Sequence, residues 1–216
     1  MATITSLKLQ KNDKDRVSVY LDGEYAFSVS RLAASALKKG QELEAAEIAQ
    51  LQEEGAAHLA YQRAVRYLGF RPRSRAEIES YLRDKGASAE VIGEVVERLV
   101  NRGYLDDAEF ARFWVEDRTR FRPRGRRALR YELQQKGLAR EDIEASLEGL
   151  AEEKAAWDAV STKLERWQGL DEREFQQKVM AFLSRRGFDY DICREVGGRA
   201  WAQVQAESAG AEADED

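Results

Sequence analysis

Two short runs hold the residues best suited to chemistry: Phe70-Arg71-Pro72-Arg73-Ser74-Arg75 and Phe121-Arg122-Pro123-Arg124-Gly125-Arg126-Arg127. A guanidinium stays charged, forks onto two oxygens at once and is weakly hydrated, so clustered arginines can grip phosphate or carboxylate. Both prolines of the chain lie in these runs. Each fixes φ and disfavours helix for the residue before it, so the loop ends one helix and aims its flanking arginines. Ser74 is placed to cap the next helix, with Glu77 at the capping-box position. The competing reading is that these arginines only solvate a helical surface and pair with Glu77, Glu79 or Glu116.

From Arg112 to Arg140, ten basic residues stand against Glu116, Asp117 and Glu132, a local +7 in a chain of formal charge −5. The last ten residues carry −5 with no basic residue. Local fields decide what a surface attracts within a Debye length of about 8 Å, so the chain average is a poor guide.

Other chemistry is sparse. His58 and Cys193 are the single histidine and cysteine, too few for a zinc site or an intrachain disulfide, so no metal or cofactor is expected. Asp106-Asp107, Glu141-Asp142 and Glu152-Glu153 fall at predicted helix starts, where carboxylates oppose the positive end of the helix dipole. No Walker loop, nucleophile elbow or zinc-protease motif is present, and the chain reads as a non-enzyme. Trp114, Trp157, Trp167 and Trp201 could stack on bases, but their helical periods point to packing. No secretory leader or run of about 18 apolar residues is visible, which leads to the expectation of a cytoplasmic protein with no membrane contact.

The elements that position the loops are helical and repeated. Gly86, Gly137 and Gly187 stand 51 and 50 residues apart. Each follows a basic residue (Lys85, Lys136, Arg186) and a pair of apolar residues on one helical face: Ile78 and Leu82, Leu129 and Leu133, Val179 and Leu183. Glycine there predicts a left-handed helix end, and the preceding cation suits the dipole. Ile92, Ile143 and Ile192, then Leu99, Leu150 and Trp201, mark a third helix in each unit. Tyr61 to Leu68, Phe110 to Trp114 and Trp157 to Leu164 mark a first.

The prediction is a mainly α fold of three tandem three-helix repeats in an elongated array, capped by a small β-hairpin about Asp22-Gly23. Expected boundaries are 1–55 for the hairpin and short helices, 56–106, 107–152 and 153–205 for the repeats, and 206–216 for a disordered acidic tail.

Three stretches match a known pattern. They are Arg73-Ser74-Arg75 with Glu77-Ile78 through Lys85-Gly86; Gly103-Tyr104-Leu105-Asp106-Asp107 with Phe110-Ala111-Arg112 and Trp114-Val115; and Gly125 through Glu132-Leu133 and Lys136-Gly137. Over about residues 56 to 204 the chain resembles the RecX family of recombination regulators. The resemblance implies a regulator that binds the RecA–DNA filament, restrains its extension, ATPase and strand exchange in recombination and repair, and touches single- or double-stranded DNA weakly. A monomer is expected.

The expected contacts are Arg71, Arg73, Arg75 and Lys85 in the first repeat. In the second they are Arg118, Arg120, Arg122, Arg124, Arg126, Arg127, Arg130 and Lys136, and in the third Arg185 and Arg186. The third repeat departs from the pattern, with Trp167-Gln168-Gly169-Leu170 where the others have their arginine loop. Two alternatives remain: a stand-alone DNA-binding helical repeat protein, with steep salt dependence, and a helical scaffold for protein partners only.

Overall fold

The computed structural model describes residues 1–11 and 13–213, with residues 209–213 described by backbone alone. The described chain divides into two compact units at Asp106/Asp107.

The first unit opens with β1 (Ala2–Leu9), β2 (Arg16–Leu21) and β3 (Glu24–Ser30), followed by the single turn α1 (Arg31–Ala34) and a short β4 (Glu42–Leu43). The strands form one antiparallel sheet in the order β3-β2-β1-β4. Asp22 and Gly23 both have positive φ, 52° and 97°, as the two-residue turn predicted for Asp-Gly requires. Helix α2 (Ala45–Leu68) then runs through the expected boundary between residues 55 and 56. Its first half lies on the sheet, where a Cβ on Gly55 would collide with the Ser28 carbonyl. Its second half is the first helix of the first repeat, completed by α3 (Arg75–Asp84) and α4 (Ala89–Asn101).

The second unit holds α5 (Asp107–Phe121), α6 (Arg126–Gln135) and α7 (Arg140–Leu147), then α8 (Glu152–Ser161), α9 (Leu164–Trp167), α10 (Glu172–Ser184) and α11 (Tyr190–Ala213). Each three-helix repeat has its own apolar cluster, and the sheet has a fourth. The paired residues before the repeat glycines, Ile78, Leu82, Leu129, Leu133, Val179 and Leu183, are all fully buried. The glycines have φ of 80°, 76° and 83°. In each turn the glycine and the residue after it donate back into the helix: Ala87 N–H to Leu82 O at 3.1 Å, Leu138 to Leu133 at 3.3 Å and Phe188 to Leu183 at 3.3 Å. This is the Schellman arrangement, repeated three times.

Three expectations need correction. In the third repeat the position matching Ile92 and Ile143 is filled by buried Cys193, while Ile192 is only half-buried. Residue type had favoured the isoleucine; helical phase decides for the thiol. Leu150 is not on a third helix, because α7 ends at Leu147 and Gly149 turns left-handed at φ 72°. The segment from Ala206, expected to be disordered, continues α11 to Ala213. It is rich in alanine and glutamate, which extend a helix already nucleated by packing at low cost. The remaining tail residues, 214–216, lie outside the described residues.

Candidate polyanion-binding surface

The two arginine loops are built alike at the proline but differ at the residue that follows. In the first, Ser74 caps α3 through a hydrogen bond from the Glu77 N–H at 3.2 Å, and Glu77 answers at the Ser74 N–H. Glu77 also takes Arg71 in a two-pronged contact at 2.7 and 3.2 Å, with Arg73 at 3.9 Å. The hydrogen bond to Glu77 pushes the Arg71 pKa above its ordinary value. Arg73 lies flat over Tyr67, 3.7 Å from the ring centre, and Tyr67 is stacked on Tyr81. Here Arg71 and Arg73 pair with Glu77; Arg75 and Lys85 are exposed at the surface, Lys85 sitting 5.6 Å over Tyr81.

In the second loop Glu132 plays the part of Glu77. Its carboxylate accepts from Trp114 Nε1 and Arg118 Nε, each at 2.9 Å, with Arg124 at 3.6 Å. Arg118 also reaches Asp117 at 2.7 Å and covers the Trp114 ring at 4.0 Å; Lys136 lies 5.1 Å from the same ring. That tryptophan face is therefore taken by cations, and Arg199 takes the face of Trp157 at 4.0 Å. Arg130 forks onto Glu144 at 2.7 and 3.0 Å, a hydrogen bond that raises the arginine pKa and lowers that of the carboxyl.

Position 125 is glycine because of what lies against it. Gly125 has an ordinary extended backbone and no side chain to cap α6. The cap comes from Glu152, which accepts from the Arg126 N–H at 2.6 Å and lies 3.6 Å from the Arg126 guanidinium. The Gly125 N–H donates to Arg186 O at 3.0 Å, so the second loop rests on the glycine turn of the third repeat. A Cβ at Gly125 would collide with the Gly187 carbonyl, and one at Gly187 with Ala128. Arg186 donates to Pro123 O at 3.3 Å and Arg127 to Ser184 O at 3.2 Å. Burial, and then Arg124 and Arg185, push the Arg186 pKa down.

Apart from Lys136 and Arg186, the expected residues of the second unit thus fall into two groups. Arg118, Arg124, Arg126 and Arg130 are held by carboxylates. Arg120, Arg122, Arg127 and Arg185 are exposed, and among the described residues none of these four pairs with a carboxylate. Arg120 lies 5.1 Å from the ring of Phe121, itself 67% exposed beside the loop. The surface is cationic, and among the described residues no group of three or more His, Cys, Asp or Glu side chains could hold a metal ion.

Comparison with known proteins gives the arrangement its family. Residues 2–44 match the regulatory protein RecX N-terminal domain, and residues 60–99, 106–147 and 151–196 match the first, second and third RecX three-helix domains. The chain belongs to the RecX family. Regulatory protein RecX of Bacillus pumilus is 35% identical over 197 residues, covering 89% of this chain and 75% of that protein. The Bacillus subtilis RecX is 34% identical over the same span and coverage. A crystal structure of regulatory protein RecX superposes with a TM-score of 0.70 at 27% identity, over 91% of this chain and 98% of the other. RecX from Lactobacillus salivarius shares the fold at a TM-score of 0.61, over 67% of this chain and 96% of that one. RecX proteins are regulatory proteins by name. No described helix is long and apolar enough to cross a membrane.

Proposed function

We propose that this RecX-family chain regulates the RecA recombinase by binding the RecA–DNA filament and restraining its extension, ATPase and strand exchange. The observation that carries the reading is the match of four RecX domains, in order, from residue 2 to residue 196. A filament presents carboxylates and phosphates repeatedly along its length, and a chain of repeats can meet several of them at once, gaining affinity that no one loop supplies.

Within this reading the middle repeat makes the main electrostatic contact. Arg120, Arg122 and Arg127 lead it, because they reach solvent and have no carboxylate partner among the described residues. Arg124, Arg126 and Arg130 set the second loop and lend charge, with Lys136, Arg185 and Arg186 adding to the second unit; in the first unit Arg71 and Arg73 set their loop, and Arg75 and Lys85 add charge there. The test is RecA ATPase on single-stranded DNA, titrated with the parent and with Arg120→Gln/Arg122→Gln/Arg127→Gln, alongside DNA binding without RecA. Inhibition should weaken about tenfold or more, equivalent to about 1.4 kcal/mol, with helical circular dichroism unchanged. Undiminished inhibition rejects the assignment.

A further inference from the structure

The third repeat lacks the arginine loop, yet it carries a basic cleft of its own. A depression of about 570 Å³ between α9 and α10 is lined by Lys163, Arg166, Lys178 and Arg185, with Glu174 as its one carboxylate and Trp167, Ala181 and Phe182 among its walls. Lys178 on α10 and Arg185 at its helical C-cap are seven residues apart, two turns or about 10 Å along one face. Lys163 and Arg166 line the opposite side. Among the described residues none of these four side chains has a hydrogen-bond or ion-pair partner. Four cations against the single carboxylate of Glu174 leave the lining at +3, in a chain of net charge −5, and focus a positive potential on the depression.

The floor says which polyanion fits. Grooves for single-stranded nucleic acid pair their cations with open aromatic faces on which bases stack. Here Trp167 is 8% exposed and meets Phe175 and Phe182 edge-on at 6.1 and 5.6 Å. The face of Phe182 carries the Arg186 guanidinium at 4.4 Å. The cleft therefore offers the exposed Ala181 and a half-buried Phe182 already covered by Arg186, while Trp167 is nearly closed off from solvent. A pocket of this size accepts one large apolar side chain, and the cations that line it suit carboxylates flanking such a residue.

We propose that the cleft of Lys163, Arg166, Lys178 and Arg185 is a docking site for an acidic peptide segment of a protein partner, anchored by one apolar side chain between its carboxylates. The cleft shares Arg185 with the cationic surface of the second unit, so the test leaves Arg185 unchanged and rests on Lys163, Lys178 and Ala181.

Fluorescence anisotropy of the full chain tests it with two labelled probes: a synthetic dodecapeptide alternating Asp-Asp with single Leu or Phe residues, and a twenty-nucleotide oligo(dT). Lys163→Glu/Lys178→Glu should weaken the peptide about tenfold or more, and Ala181→Glu, at an exposed position, should do likewise without disturbing the core. A peptide with serine replacing its apolar residues should bind several-fold more weakly than the original, and oligo(dT) affinity should change less than about twofold. Peptide affinity that both variants leave intact, equal binding of the serine peptide, or a loss confined to or shared equally by oligo(dT) overturns the proposal. The last outcome would make the cleft a nucleic-acid contact.

Discussion

Gly125→Ala is a one-carbon change whose consequence can be worked from the structure. The backbone at Gly125, φ −76° and ψ 162°, suits any residue, so the penalty is purely one of space. The new Cβ would meet the carbonyl of Gly187 and the nitrogen of Phe188. Both are backbone atoms, and neither can swing aside. Forcing extra volume into a close-packed contact costs about 1–3 kcal/mol. As the loop is pushed away, the hydrogen bond from Gly125 N–H to Arg186 O is lost as well, a further 0.5–1.5 kcal/mol or so.

A destabilisation of about 2–4 kcal/mol, with a urea slope of roughly 2 kcal/mol per molar, lowers the unfolding midpoint by about 1–2 M. Trp114, Trp157, Trp167 and Trp201 all lie beyond Asp106, so tryptophan emission reports the second unit specifically. Gly198→Ala serves as control: it is in α11 with open space around it, and alanine there should raise the midpoint, being about 1 kcal/mol better in a helix. A Gly125→Ala midpoint within about 0.2 M of the parent, less than about 0.5 kcal/mol at that slope, would refute the claim that this contact locks the second and third repeats.

The Arg130 hydrogen bond holds the Glu144 carboxyl below its ordinary pKa. A depressed folded value means stability that is complete above the unfolded pKa of about 4.3 and lost as pH falls through the folded value. Glu144→Gln should be less stable than the parent at pH 7 and converge with it in acid; a gap that persists at pH 2 would contradict the pairing. Burial raises the Cys193 thiol pKa, so a disulfide reagent should label it slowly in the native protein at pH 8 and rapidly in urea. Equal rates would place the thiol at the surface.

Much of the local architecture was legible in the sequence because it depends on neighbours. The Asp22-Gly23 turn, the Ser74 capping box and the left-handed glycines at 86, 137 and 187 follow from what each backbone allows within a few residues. Helical period likewise identified the buried pairs from Ile78 to Leu183. It also yielded three repeats and the resemblance that the family match confirms.

The tertiary structure decided how the charges are used. Composition counts Arg71, Arg118 and Arg130 as equal to Arg122, but only packing brings Glu77, Glu132 and Glu144 within reach of the first three. Gly125 looked like part of a loop that presents arginines; its small size is needed by a turn 62 residues away. Lys163, Arg166 and Lys178 carried no motif and became a cleft with Arg185 only when α9 folded against α10. Backbone preference is set by residues adjacent in the chain and can be read from their order. Pairing, close approach and the focusing of charge depend on distances through space, which exist only once the repeats have packed.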